Sequence, residues 1–366
     1  MRILLAVLAT LLLAAPVRVA PARAAEERVL NVYNWTDYID PKAIARFEAE
    51  TGIKVRYDVY DSLETLEAKL SAGASGYDIV VPTSEPTFSR LVRAGALAAL
   101  DRAKLPHAAG LDPALMHEVA TSDPGGTHGV IYLWGTIGLG ENPDRIRALD
   151  PDAPLDSWDL LFKPEHAKRI AACGISMLDS ATDVIPTVLR YLGRHPDSTD
   201  AADLAAVERT LRAVRPYIRT FASSGEVNAL ADGSICLAFS YSGDVIQASA
   251  RAVEAKRGTV VRYAAPREFA QLWFDMLAVP ADAPHKDAAL AFIDFLLRPD
   301  VMAGITNTVH YPNAVPASLA AVDPAIKSDP NVYPTQADMA RFFTVRAVPQ
   351  AAERARTRMW ARFKAG

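Results

Sequence analysis

Three pairs of an aromatic ring and a carboxylate stand out by their spacing: Trp35 with Asp37, Tyr241 with Asp244, and Trp273 with Asp275. Tyr38 adjoins the first pair, and Tyr311 stands alone in a later loop. An aromatic face attracts a cation by roughly 0.5 to 2 kcal/mol, and a hydrogen bond to a charged group contributes about 1.5 to 3 kcal/mol. Together they suit an alkylammonium, whose methylenes lie on the rings while its N–H groups meet the carboxylates. One pair is too weak to retain a ligand. Two ammonium ends held by several pairs reach about −8 kcal/mol, a micromolar affinity. Each residue also has a plainer reading: a strand aromatic as core, Asp244 as an acid favoured at a helix N-terminus, Asp37 as a helix cap, Tyr311 as an ordinary loop aromatic.

Other chemistries lack their motifs. "GTIGLGENP" has Pro143 where a dinucleotide fingerprint needs its third glycine, and no Gly-Lys-Ser/Thr phosphate loop occurs. "HEVAT" lacks the second histidine of a metalloprotease, and Ser240 and Ser242 in "FSYSG" lack the glycine pattern of a nucleophile elbow. No catalytic residue, metal or cofactor is therefore expected. A secreted hydrolase using two of the carboxylates as acid and base remains the rival from another class.

The acids and rings must be positioned by strand ends. "VLNVYNW", "IKVRYDVY" and "YDIVVP" read as strands, with helices over "PKAIARFEAETG", "LETLEAKLSAG" and "PTFSRLVRAG". That βαβαβ order within about 70 residues implies a parallel sheet with helices on its faces. "THGVIYLWGTIGLGEN" is a candidate crossing between lobes, and "LWFDMLAVPADAP" a return crossing. In that returning strand, residues two apart face the same way, so Trp273 and Asp275 can line one wall while Phe274 packs behind. The chain reads as two α/β lobes with a ligand cleft at their strand ends. The expected division is 26–135 plus 275–316 for the first lobe and 136–274 plus 317–366 for the second.

Residues 1–24 read as a secretory signal, from Arg2 through the apolar run Ile3 to Ala15 to a small-residue cleavage site near Ala24. Removing it takes three arginines and no acid, so the formal charge goes from −4 to −7. That balance argues against nucleic acid or an anionic membrane as partner. Cys173 and Cys236 are the only cysteines: in an oxidising compartment a lone pair most simply forms one disulfide, the alternative being two buried thiols.

Ten features in order resemble the periplasmic polyamine-binding proteins of ABC transporters, the putrescine and spermidine receptors. They are the signal, "NWTDYI", "ETGIKV", "YDIVVPTS", "DSWDLLFKPE", "CGISMLD", "YLGRHPDS", "GSICLAFSYSGDV", the run from Trp273 to Val301, and "VYPT". The resemblance runs from about residue 28 to the C-terminus and implies a two-lobed type II periplasmic binding protein. Such a protein is a non-enzymatic, monomeric receptor that closes on a polyamine and presents it to a membrane permease. It places Trp35, Thr36, Asp37 and Tyr38 on the first wall of the pocket and Thr83 or Ser84 as a hydroxyl contact. Asp183 stands as an ammonium partner on a shorter arm than the family's glutamate, and Tyr241 where many members carry Trp. Asp244, Trp273, Asp275 and Tyr311 complete the cage, and the cysteines sit where putrescine-receptor-like members bear a disulfide. Glu85 departs from the pattern by adding an acid, either to pair with a third ammonium or to face solvent. Phe269 replaces a common glycine. Thr36 and Trp273 resemble spermidine-type members, whereas Ser180 and Val345 lack the polar contacts a third ammonium needs. Putrescine and spermidine therefore both remain open, as do agmatine, cadaverine and a choline-like amine, and a sensory role beside transport.

Overall fold

A computed structural model describes residues 28–222 and 225–366, so the expected signal and its cleavage site lie outside the described residues. The first elements follow from local chemistry. After strand β1 (Val29–Trp35), the helix Pro41–Thr51 starts at Asp40, whose carboxylate accepts the Lys42 N–H, with Pro41 where a missing N–H costs nothing. It stops at Gly52 in the left-handed region (φ 69°), whose N–H reaches Glu48 O. Asp40 thus caps this helix, and Asp37 does not.

Strand β2 (Lys54–Tyr60) and strand β3 (Ile79–Val80) flank β1 in parallel, as the βαβαβ order requires. β3 is shorter than "YDIVVP" suggests because side chains capture the next carbonyl: Val81 O accepts from Trp35 Nε1 at 2.9 Å and from the Tyr60 hydroxyl at 2.6 Å. Strand β4 (Gly129–Glu141) is buried along its whole length. It is followed by β5 (Ile175–Met177), β6 (Thr220–Phe221), β7 (Leu237–Tyr241), β8 (Arg262–Ala264) and β9 (Gln271–Ala278). The sheet order is β2-β1-β3-β9-β4-β7-β5-β6, with β8 also on β4.

Two long antiparallel strands therefore carry the sheet from one lobe to the other. β9 meets β3 at Ala278 and pairs along β4 from Gly129 to Ile137, while the far end of β4 pairs with β7 and β8. The β4–β9 register slips between Ile131 and Trp134. On its other edge, Trp134 N–H there donates to Pro312 O at 3.0 Å and Leu133 bridges Asn313, which fixes the segment bearing Tyr311. Beyond these two strands, Phe343 exchanges backbone hydrogen bonds with Ala270 and Leu272. Between them, Asn307 still bonds to Ala321 O and to Asp323 N–H, so the chain just after residue 316 stays beside the helix Pro299–Val309.

Cys173 and Cys236 form a disulfide with a Cα–Cα distance of 5.5 Å, tying the start of β5 to the start of β7. Among the described residues no helix is long and apolar enough to cross a membrane.

Candidate functional site

The strand ends converge on one cavity of about 240 Å³, and all thirteen residues singled out as ligand contacts line it. Trp35, Thr36, Asp37 and Tyr38 come from the end of β1, Thr83, Ser84 and Glu85 from the turn after β3, and Tyr241 and Asp244 from the β7–helix junction. Trp273 and Asp275 come from β9, Asp183 from the first turn of the helix Ala181–Tyr191, and Tyr311 from the segment pinned to β4.

Four of the rings form a continuous edge-to-face chain. Tyr38 meets Tyr311 at 5.3 Å between centroids, Tyr311 meets Trp273 at 5.2 Å, and Trp273 meets Tyr241 at 5.7 Å. In each such contact the edge of one ring rests on the face of the next, a favoured aromatic geometry. Trp35 stands apart, packed on Tyr60 at 4.6 Å and tethered through its indole N–H. The Tyr38 hydroxyl and Trp273 Nε1 are buried in the cavity wall without a hydrogen-bond partner among the described residues.

The carboxylates divide into two kinds. Asp275 is buried, Asp183 and Asp244 are half-buried, and all three are held by neutral donors. Asp275 accepts from the Thr83 hydroxyl at 2.6 Å; Asp183 accepts from the Tyr241 hydroxyl and Gln271 Nε2, both at 2.9 Å; Asp244 accepts from the Tyr311 hydroxyl at 2.8 Å. Desolvation in the cleft raises all three pKa values, Asp275 to about 7 and Asp244 to about 6, because the ionised form loses part of its hydration. Hydrogen bonds from Thr83 and Tyr311 offset part of that rise.

Asp37 and Glu85 are of the second kind, each already engaged by partners within the protein. Asp37 sits at φ 54° with its side chain 63% exposed, and Arg251 Nη2 bonds it at 3.0 Å across the cleft. Its charge is already matched by a resident cation. Glu85 neither stands free for a third ammonium nor points to solvent: Ser122 and Ser89 hydroxyls donate to it at 2.9 and 2.6 Å, and Ala347 N–H at 2.9 Å. Thr36 and Ser84 line the cavity as expected, the Thr36 hydroxyl resting weakly on Tyr60 O at 3.4 Å. Val345 lines the cavity too, whereas Ser180 lies just outside it, bonded to Thr182.

Two functional neighbours were overlooked although their spacing marks them. Gln271 precedes Trp273 by two on β9 and so faces the same way as Trp273 and Asp275. Arg251 follows Asp244 by seven on the helix Ser242–Ala255, which returns it to the same face. Glu226 had no such mark. It is buried to 3% exposure behind the wall, with Ser240 Oγ at 3.5 Å, and its carboxyl is pushed up to about 8 by burial and by the nearby Asp244. Close approach also explains Gly243: an added Cβ would fall 2.5 Å from the Tyr311 ring.

A buried, aromatic-lined cleft between two lobes, crossed by two strands, is a receptor's architecture, and the comparisons agree. Residues 42–335 match the model of the bacterial extracellular solute-binding proteins. The putrescine-binding periplasmic protein SpuD of Pseudomonas aeruginosa is 48% identical over 94% of this chain and 94% of its own length. The putrescine-binding periplasmic protein PotF of Escherichia coli is 46% identical over 94% of this chain and 93% of its own. Among solved structures, the spermidine/putrescine ABC transporter substrate-binding protein PotD of Streptococcus pneumoniae superposes with a TM-score of 0.74 at 26% identity, covering 93% of this chain and 99% of that one. By sequence, fold and cleft alike, the chain belongs to the bacterial extracellular solute-binding proteins, in the two-lobed form of the type II periplasmic binding fold.

Proposed function

We propose that this protein is a periplasmic receptor that closes on a polyamine and delivers it unchanged to the permease of an ABC transporter. The observation that carries the reading is the charge state of the cleft. Asp275 is a buried carboxylate and Asp183 a half-buried one, and the hydrogen-bond donors of both are all neutral. A buried charge without a counter-ion is costly, and an ammonium group supplies that counter-ion. The ring chain from Tyr38 to Tyr241 covers the methylenes between two such ends. Matches with receptors named for putrescine and for spermidine/putrescine support the same class of ligand.

In this reading the thirteen residues are the ligand shell, with Asp37 and Glu85 contributing through the cleft's own contacts rather than as ammonium partners. The first lobe comprises residues 28–135 and 275–316 together with the following stretch that stays beside Asn307, and the remainder forms the second lobe. The receptor acts as a monomer, with neither nucleic acid nor cofactor.

Calorimetry with putrescine, cadaverine, agmatine, spermidine and choline, with 1,4-butanediol as the uncharged control, tests this. A micromolar or tighter diamine or triamine and a silent diol are expected. No heat with any amine, or turnover of a glycoside, would overturn it.

A further inference from the structure

Glu85 lines the cavity, yet its carboxylate is engaged elsewhere. Oε1 accepts from the Ser122 hydroxyl at 2.9 Å, while Oε2 accepts from the Ser89 hydroxyl at 2.6 Å and from Ala347 N–H at 2.9 Å. A carboxylate offers about four lone-pair sites, so three are already filled. Ser89 and Ser122 belong to the same lobe as Glu85. Ala347 does not: it sits on a C-terminal arm anchored to the other lobe.

That anchoring is explicit. Leu272 N–H donates to Phe343 O at 2.7 Å, and Arg346 N–H donates to Asp197 Oδ1 at 2.9 Å. Beyond the arm, the helix Gln350–Ala365 is fastened by Arg356 to Pro196 O and Ser198 O and by Trp360 and Lys364 to Asp179. One turn after Glu85, Arg90 Nη1 meets Glu353 Oε1 of that helix at 3.2 Å. The segment Glu85–Arg90 therefore grips the arm at Ala347 and the helix that follows it at Glu353.

We propose that Glu85 is a closure clasp, a positioning residue that holds the first lobe to the C-terminal arm of the second and thereby raises the affinity of the cleft without touching the ligand. Apparent affinity scales with the population of the binding-competent, closed form. Loss of the clasp consequently weakens every ligand by one common factor. A residue that met a third ammonium would instead penalise triamines alone. The inference rests on the amine-receptor reading for its ligand readout, and on the fold alone for its backbone readout.

The experiment compares wild type, Glu85→Ala and Glu85→Gln by two measurements. Hydrogen exchange at the Ala347 amide in ligand-free protein is expected to accelerate in Glu85→Ala and to recover partly in Glu85→Gln, whose amide oxygen still accepts one N–H. Surface plasmon resonance is expected to show putrescine and spermidine both weakened about tenfold in Glu85→Ala, the size of one lost charge-assisted hydrogen bond, mainly through faster dissociation. Unchanged Ala347 exchange overturns the clasp, as does a loss confined to spermidine. If wild type binds neither amine, the receptor reading falls, and the Ala347 exchange still decides the clasp.

Discussion

Asp275→Asn separates binding from folding most cleanly. The wild-type carboxylate is 4% exposed with a pKa raised by burial from 3.8 to about 7. Below pH 3.8 both the folded and the unfolded chain hold this proton, and the group contributes nothing to stability. As pH rises towards 7 the unfolded chain ionises first, so the folded state is progressively penalised, and above about pH 7 the penalty is constant at on the order of 4 kcal/mol. Asparagine keeps the acceptor for Thr83 and removes that penalty. Ligand-free Asp275→Asn is therefore expected to melt no lower than wild type at pH 8. Binding moves the other way, because the lost charge-assisted hydrogen bond is worth about 1.5 to 3 kcal/mol, roughly a 10- to 150-fold weaker affinity. The pH dependence completes the test. An alkylammonium stays charged to well above pH 8, whereas Asp275 is about nine-tenths ionised at pH 8 and about one-tenth at pH 6. Wild-type putrescine affinity should then fall about tenfold from pH 8 to pH 6 by this group, with a smaller loss from Asp244, and Asp275→Asn should retain only the smaller part. Calorimetry at the two pH values with a parallel thermal melt provides the numbers. A variant that melts lower yet binds as wild type would refute the reasoning.

Gly243→Ala places a methyl 2.5 Å from the Tyr311 ring, and overpacking of this kind costs about 1 to 3 kcal/mol. We expect a melting point several degrees lower and a putrescine affinity at least tenfold weaker, because the Tyr311–Asp244 contact must move; unchanged values for both would show that the ring yields freely. Replacing both Cys173 and Cys236 by serine removes a link across 63 residues, whose chain-entropy contribution is about 4 kcal/mol. Since neither cysteine lines the cavity, the melt should drop while affinity in the folded protein stays as wild type, and a parallel loss of affinity would tie the bridge to the cleft.

The amino-acid sequence alone determined the local elements and the ring–acid pairs. Pro41 and Gly52 mark the two ends of their helix, period-two spacing on β9 puts Trp273 and Asp275 on one wall, and the alternation of strand and helix dictates that β1, β2 and β3 pair in parallel. These are short-range consequences of sterics and hydrogen bonding, legible without a partner element. Tertiary structure decided which carboxylates remain available. Asp37 and Asp275 look alike as acids beside a tryptophan, but one is exposed and paired with Arg251, 214 residues away, and the other is buried with Thr83, 192 residues away. Glu85 is occupied through a backbone N–H 262 residues distant, which carries no side-chain signature at all. Charge and burial at a cleft are properties of the neighbours that folding brings together, and it is the two long strands β4 and β9 crossing between the lobes that bring them.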